Sequence, residues 1–135
     1  MIPIEPRPIF AGKRYRGMKS HREIGSPLEN ATWIDCDLQH VDLDSASIYS
    51  SVFSRCYFEK TSFYGCSAFR TQFLECKFID CDLRGDFDEA VFLRCGFERC
   101  LVGDNNLGGI TMWEDALSEE CVVAGDPLPI VASTR

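Results

Sequence analysis

The chain has 135 residues, a formal net charge of −7 and an ordinary apolar share of 45%, enough for one domain to bury a core without a metal or a staple. No stretch approaches the roughly 20 apolar residues that span a bilayer, and Met1–Phe10, with its three prolines, makes a poor signal peptide, so a cytoplasmic protein without membrane contact is expected. Residues 1–30 carry six Lys/Arg against three Asp/Glu, residues 31–109 seven against thirteen, and residues 110–135 one against five, which argues against nucleic acid as a direct partner and for a basic partner or plain solubility.

In chain order, residues 1–25 read as an N-terminal extension. Within it Lys13, Arg14, Arg16, Lys19, His21 and Arg22 form a basic loop. Such a loop either clamps acidic side chains of the body or meets a partner's phosphate or carboxylate.

From Ser26 a large apolar residue recurs every five positions: Leu28, Trp33, Leu38, Leu43, Ile48, Phe53, Phe58 and Phe63, then Ala68, Phe73, Phe78 and Leu83. There the count slips by one and resumes at Phe87, Phe92, Phe97, Val102 and Leu107. Neither a helix (3.6) nor a simple strand (2.0) has this period. Two positions before each large residue stands a smaller one, among them Ala31, Cys36, Val41, Ala46, Ser51, Cys56, Thr61 and Cys66. Spacing of two places both on one side of an extended segment. Each pentapeptide therefore turns one large and one small side chain inward. Four repeats close a square coil, and twenty residues later the chain returns above itself.

Seven of the eight cysteines occupy the small inward position; Cys121 falls outside the readable register. Cys36, Cys56, Cys76 and Cys95 form one column, with Cys81 and Cys100 in a neighbouring one. The coil explains these spacings without a metal, and free thiols are good small, buried fillers. Stacked thiols in reducing surroundings are expected to stay unpaired.

Residues 26–109 resemble the pentapeptide-repeat family, whose tandem A-(D/N)-L-x-x pattern is nearly met by Cys36-Asp37-Leu38-Gln39-His40, Val41-Asp42-Leu43-Asp44-Ser45 and Cys81-Asp82-Leu83-Arg84-Gly85. The resemblance implies an all-β fold: a right-handed quadrilateral β-helix of about four coils. At ~4.8 Å per coil the rod is roughly 19 Å long.

In residues 110–135, Thr111-Met112-Trp113-Glu114 reads as a capping box opening a short helix. Its Met112, Trp113, Ala116 and Leu117 would lie over the last coil. In relatives such an element often dimerises, so a homodimer through the cap stands beside the plain reading of a lid. The Pro-rich tail after Gly125 is too interrupted for a helix.

The outward residues must carry the function. Around the coil positions of Trp33, Phe53, Phe73 and Phe92, outward Ile34, Val52, Leu74, Val91 and Leu93 form an apolar stripe, which Ile2, Ile4, Ile9 and Phe10 are expected to cover. Two other sides display Asp42, Asp44, Asp82, Asp86 and Asp88 with Tyr49, Tyr64 and Phe69, a surface suited to a basic cleft on a protein partner. His21 and His40 have no companion nucleophile, and no phosphate loop or metal cluster is present. Neither catalysis nor a cofactor is expected.

The resemblance implies two partners. One is a cognate toxin, above all a nuclease, whose active site an immunity protein of this kind would occlude. The other is DNA gyrase or another type II topoisomerase, which longer members of the family bind as DNA mimics. Length favours the toxin: 19 Å of duplex carries about eleven phosphate charges, roughly twice the net charge of the repeat region.

Overall fold

The computed structural model describes residues 8–102, 113, 115–125 and 128. They wind into a quadrilateral β-solenoid of short parallel strands. On side 1, β1 (Ile9–Ala11), β3 (Thr32–Ile34), β5 (Val52–Ser54), β7 (Gln72–Leu74), β9 (Val91–Leu93) and β11 (Leu117–Glu119) stack in that order. Side 2 stacks β2 (Arg14–Arg16), β4 (Asp37–Gln39), β6 (Tyr57–Glu59), β8 (Lys77–Ile79), β10 (Gly96–Glu98) and β12 (Val122–Ala124). Side 3, around Leu43, Phe63 and Leu83, and side 4, around Ile48, Ala68 and Phe87, have only single bridges, such as Asp42 to Ser62 to Asp82 and Ser47 to Ser67 to Asp86.

The inside is a stack of rings. On side 1 Phe10, Trp33, Phe53, Phe73 and Phe92 follow one another at centroid spacings of 3.9, 5.2, 5.0 and 4.9 Å, nearly parallel. On side 2 Phe58, Phe78 and Phe97 stack at 4.9 Å, and the columns meet edge to face, as at Phe53 and Phe58. Parallel in-register pairing forces this spacing on any residue type repeated every coil. No charged side chain is buried among the described residues.

The small positions do more than fill space. Ser51, Thr61 and Thr71 hydroxyls donate to the carbonyls of Leu28, Leu38 and Ile48, one coil below. The thiols of Cys36, Cys56, Cys76, Cys95 and Cys121 likewise point at the carbonyls of Phe10, Trp33, Phe53, Phe73 and Phe92. All eight cysteines are free. Cys121 thus joins the Cys36 column, which five-residue counting from Leu107 misses.

All but one of the described corners of the repeat place one residue in the left-handed region, among them Asp35, His40, Ser45, Ser50, Arg55 and Lys60, with φ between 48° and 59°. That conformation costs a non-glycine residue about 1–2 kcal/mol. The corner amides offset it by bonding to the next coil, as Asp35 N–H to Ser54 O (3.0 Å) and His40 N–H to Glu59 O (3.0 Å). The one-residue slip falls on the corner between Leu83 and Phe87, which lacks such a residue. There the chain cuts across through Gly85, where a Cβ would lie 2.6 Å from Phe63 O and 2.8 Å from Cys66 Sγ.

The solenoid extends past residues 26–109 at both ends. Phe10 and Tyr15 stand in register with Trp33 and Leu38, and Gly12 and Gly17 take the corner conformation, so residues 9–17 form half a coil. Ile9 is 68% exposed and Phe10 points inward, so neither covers the apolar stripe; Ile2 and Ile4 lie outside the described residues.

The C-terminal helix expected to open at Thr111 falls mostly outside the described residues, and its expected reach to Leu117 is corrected. Thr111, Met112 and Glu114 lie outside the described residues, but Leu117–Glu119 and Val122–Ala124 are strands on the open edges of β9 and β10. A helix laid across those edges would leave their amides and carbonyls unpaired. The strands satisfy them through Leu117 N–H to Ala90 O, Arg94 N–H to Glu119 O and Val122 N–H to Cys95 O. Ser118 stands in register above Phe92, and the Trp113 indole stacks on that ring at 5.3 Å, filling space a phenylalanine at 118 would take. Leu117, assigned to the apolar lid, is 53% exposed.

Candidate functional site

The eight residues singled out for binding fall on two adjoining sides of the rod. On side 3, Asp42 and Asp82 occupy one outward column with Ser62 between them, and Asp44, Tyr64 and Arg84 the next. On side 4, Asp86 continues the column of Ser47 and Ser67, and Asp88 follows two residues later above Phe69 and Tyr49. Coil arithmetic alone brings these residues together.

The structure gives several of the aspartates a second task. Asp42 Oδ1 accepts from the amide of Asp44 (2.7 Å), Asp82 Oδ1 from that of Arg84 (3.1 Å) and Asp86 Oδ1 from that of Asp88 (3.1 Å). Each carboxylate closes the turn that follows it, as Asp and Asn do in loops. This is why the second position of the repeat favours Asp or Asn. Asp44 accepts from the Ser62 hydroxyl and the Tyr64 amide (3.2 Å) of the next coil.

Burial pushes the Asp44 carboxyl above the ordinary aspartate range, with Asp42 adding to the effect and the Ser62 hydroxyl working against it. Asp86 is raised in the same way, by burial and then by Asp88, against the Asp88 amide. Both carboxylates are less comfortably solvated than free aspartates, which favours a partner that brings positive charge.

Two arginines belong to this surface and were not among the residues expected to bind. Arg84 forms a two-point ion pair with Asp82 (2.7 and 2.9 Å) and lies 5.1 Å from the Tyr64 ring centroid. Arg70 lies 5.0 Å from the Phe69 centroid and 3.5 Å from Glu89. The signal for Arg84 was present: it stands twenty residues, one coil, after Tyr64. Tyr49 is 38% exposed.

The basic loop runs beside side 3. Arg16 is fixed to Asp37 (2.8 Å), which supports the reading of a clamp for that residue. Ser20 caps the short 3-10 turn His21–Ile24, with Glu23 completing the capping box. Lys19, Ser20, His21 and Arg22 then line an open hollow of ≈ 240 Å³ with Asp42, Asp44 and Ser45. Among the described residues no group of three or more His, Cys, Asp or Glu is arranged to hold a metal, and no helix is long and apolar enough to cross a membrane.

This surface sits on a fold defined by its repeat. Residues 49–85 match the family model for pentapeptide repeats, in eight copies. Residues 49–85 thus carry pentapeptide repeats, and the described residues as a whole form a quadrilateral β-solenoid. Two solved structures of trypsin-treated QnrB1, a plasmid-mediated fluoroquinolone resistance protein, align with it at 16% identity. They cover 87% and 85% of this chain, with TM-scores of 0.34 and 0.33. The chain spans about half of their length, 51% and 52%. No curated protein sequence matches.

Proposed function

We propose that the chain is a non-catalytic binding protein that offers sides 3 and 4 to the basic, DNA-binding surface of a protein partner, and that a type II topoisomerase such as DNA gyrase is that partner. The observation that carries this reading is the placement of Asp42, Asp44, Asp82, Asp86 and Asp88 on two adjoining sides, within three coils. Three coils span roughly 10 Å of rod axis. Duplex DNA carries about six phosphate charges over that distance. The local match is closer than the net charge of the repeat region suggests, although Arg70 and Arg84 offset part of it. The acidic charge also steers encounter with a basic cleft.

A nuclease toxin has a basic cleft of the same chemistry, and it is the second outcome of the test. The test uses Asp42→Asn, Asp82→Asn and Asp86→Asn together, because asparagine keeps the turn-closing oxygen and removes the charge. Purified gyrase subunits are titrated with the wild-type chain and with this variant, in competition with duplex DNA. Binding that displaces DNA and weakens at least tenfold in the variant supports the reading. Absence of binding to gyrase or topoisomerase IV overturns it. Stoichiometric capture of a nuclease domain from the source cells assigns the antidote role instead.

A further inference from the structure

We propose that side 1 is a self-association surface on which a second copy of this chain docks, rod beside rod, independently of what sides 3 and 4 bind. From β1 to β9 the outward positions of this sheet hold no charged residue, and Ile34, Val52, Leu74, Val91 and Leu93 share them with small or neutral polar side chains. A flat sheet with such a face normally has a partner. Ile9 and Phe10, the described part of the segment expected to cover it, do not do so.

The two edges of side 1 indicate the occupant. The corner before each strand carries Asn30, Ser50, Arg70 and Glu89; the corner after it carries Asp35, Arg55, Glu75 and Arg94. Within one coil, Arg70 therefore stands across the side from Glu75, and Glu89 from Arg94. A twofold axis parallel to the rod brings each leading edge against the trailing edge of the other copy at the same height. It sets Arg70 against the partner's Glu75 and Glu89 against the partner's Arg94, each twice by symmetry. Asn30 meets the partner's Asp35, an acceptable hydrogen-bonding pair. The coil spacing is the same in both copies, so the ridges match along the length without adjustment. These side chains are half exposed and already paired within the chain, Arg94 with Glu75 at 3.1 Å and Arg70 with Glu89 at 3.5 Å. They would form a polar rim around an apolar strip.

Size sets the strength. Six strands at ~4.8 Å make the side roughly 24 Å long and about 10 Å wide. With its edges this is less than the ~800 Å² per partner of a stable complex, so a weak dimer, with Kd on the order of 10–100 μM, is expected.

Sedimentation of the full chain from about 5 to 500 μM, a range that brackets that Kd, tests it. The wild type should pass from monomer to dimer. Val52→Asp with Leu93→Asp, both outward and clear of the ring columns, should remain monomeric with unchanged circular dichroism. Glu75→Arg should weaken the dimer about tenfold by facing Arg70 with a like charge, and adding Arg70→Glu should restore it. A wild-type chain that stays monomeric at the highest concentration overturns the proposal, leaving side 1 to a segment of its own chain or to another protein. A dimer insensitive to the Val52 and Leu93 substitutions also overturns it and places the contact at a rod end.

Discussion

Sides 1 and 2 and sides 3 and 4 solve one problem by different means. All four must return the chain to the same height plus one coil every twenty residues. Sides 1 and 2 do it with continuous ladders, six strands each, over stacked aromatic rings. Sides 3 and 4 have single bridges, and there the carboxylates of Asp42, Asp82 and Asp86 close the turns. The acidic surface is therefore partly a by-product of turn chemistry. Selection for folding on those two sides supplies negative charge that a binding function can then use.

The largest effect expected is on the ladder sides. Phe58→Asp or Phe78→Asp buries an unpaired charge in the ring stack and should leave no folded protein, seen as loss of the β signal in circular dichroism. A soluble, folded variant would break the assignment of the core to those columns. Gly85→Ala probes the opposite half: the added Cβ meets Phe63 O and Cys66 Sγ, and the midpoint of urea unfolding should fall by an amount worth about 1–3 kcal/mol. Smaller still, Asp82→Ala should cost about 1 kcal/mol by the same measurement while Asp82→Asn costs a few tenths. Equal costs would mean that the charge, not the turn, matters for stability.

The smallest effect is one of pH. Asp44 and Asp86 titrate above ordinary aspartates, so binding through sides 3 and 4 should weaken on acidification before unpaired aspartates begin to protonate. Because folding raises these two pKa values, their protonation does not itself destabilise the rod; it relieves a cost. Asp35 and Asp80, held low by Arg55 and Arg99, lose their ion pairs only at more acidic pH. Isothermal titration between pH 7 and about pH 4.5, a window set by the usual aspartate range, with thermal melts alongside, separates the two effects.

Much of this architecture was legible because the repeat is nearly unbroken from Leu28 to Leu83. A five-residue period admits few other folds, and twenty-residue arithmetic then places Asp42, Asp82, Tyr64 and Asp86 on neighbouring columns. The ends were harder for a physical reason. Phe10 and Tyr15 are five apart, as are Gly12 and Gly17, but two repeats are too few to stand out from a basic loop. At the other end Trp113 and Ser118, like Ala116 and Cys121, are five apart, yet Ser118 replaces the large residue above Phe92 and the Trp113 indole, packed on both Phe87 and Phe92, supplies the missing volume from the neighbouring position. Sequence counting follows position, whereas the core requires only that the space be filled. The turn-closing role of the aspartates was hidden for another reason: the same residue type is equally expected on a solvated face.

The corners between sides 1 and 2 hold a further consequence. Asp35, Arg55, Glu75 and Arg94 alternate in sign from coil to coil, with Asp35 bonded to Arg55 at 2.8 Å and Glu75 to Arg94 at 3.1 Å. A chain of near-identical repeats risks stacking one coil on the next but one, looping out the twenty residues between. That error would set Asp35 on Glu75 and Arg55 on Arg94, like on like. Each pair adds little to the finished rod, since all four side chains are half exposed. The same alternation disfavours the skipped coil that the ring columns, blind to which phenylalanine they stack upon, would accept.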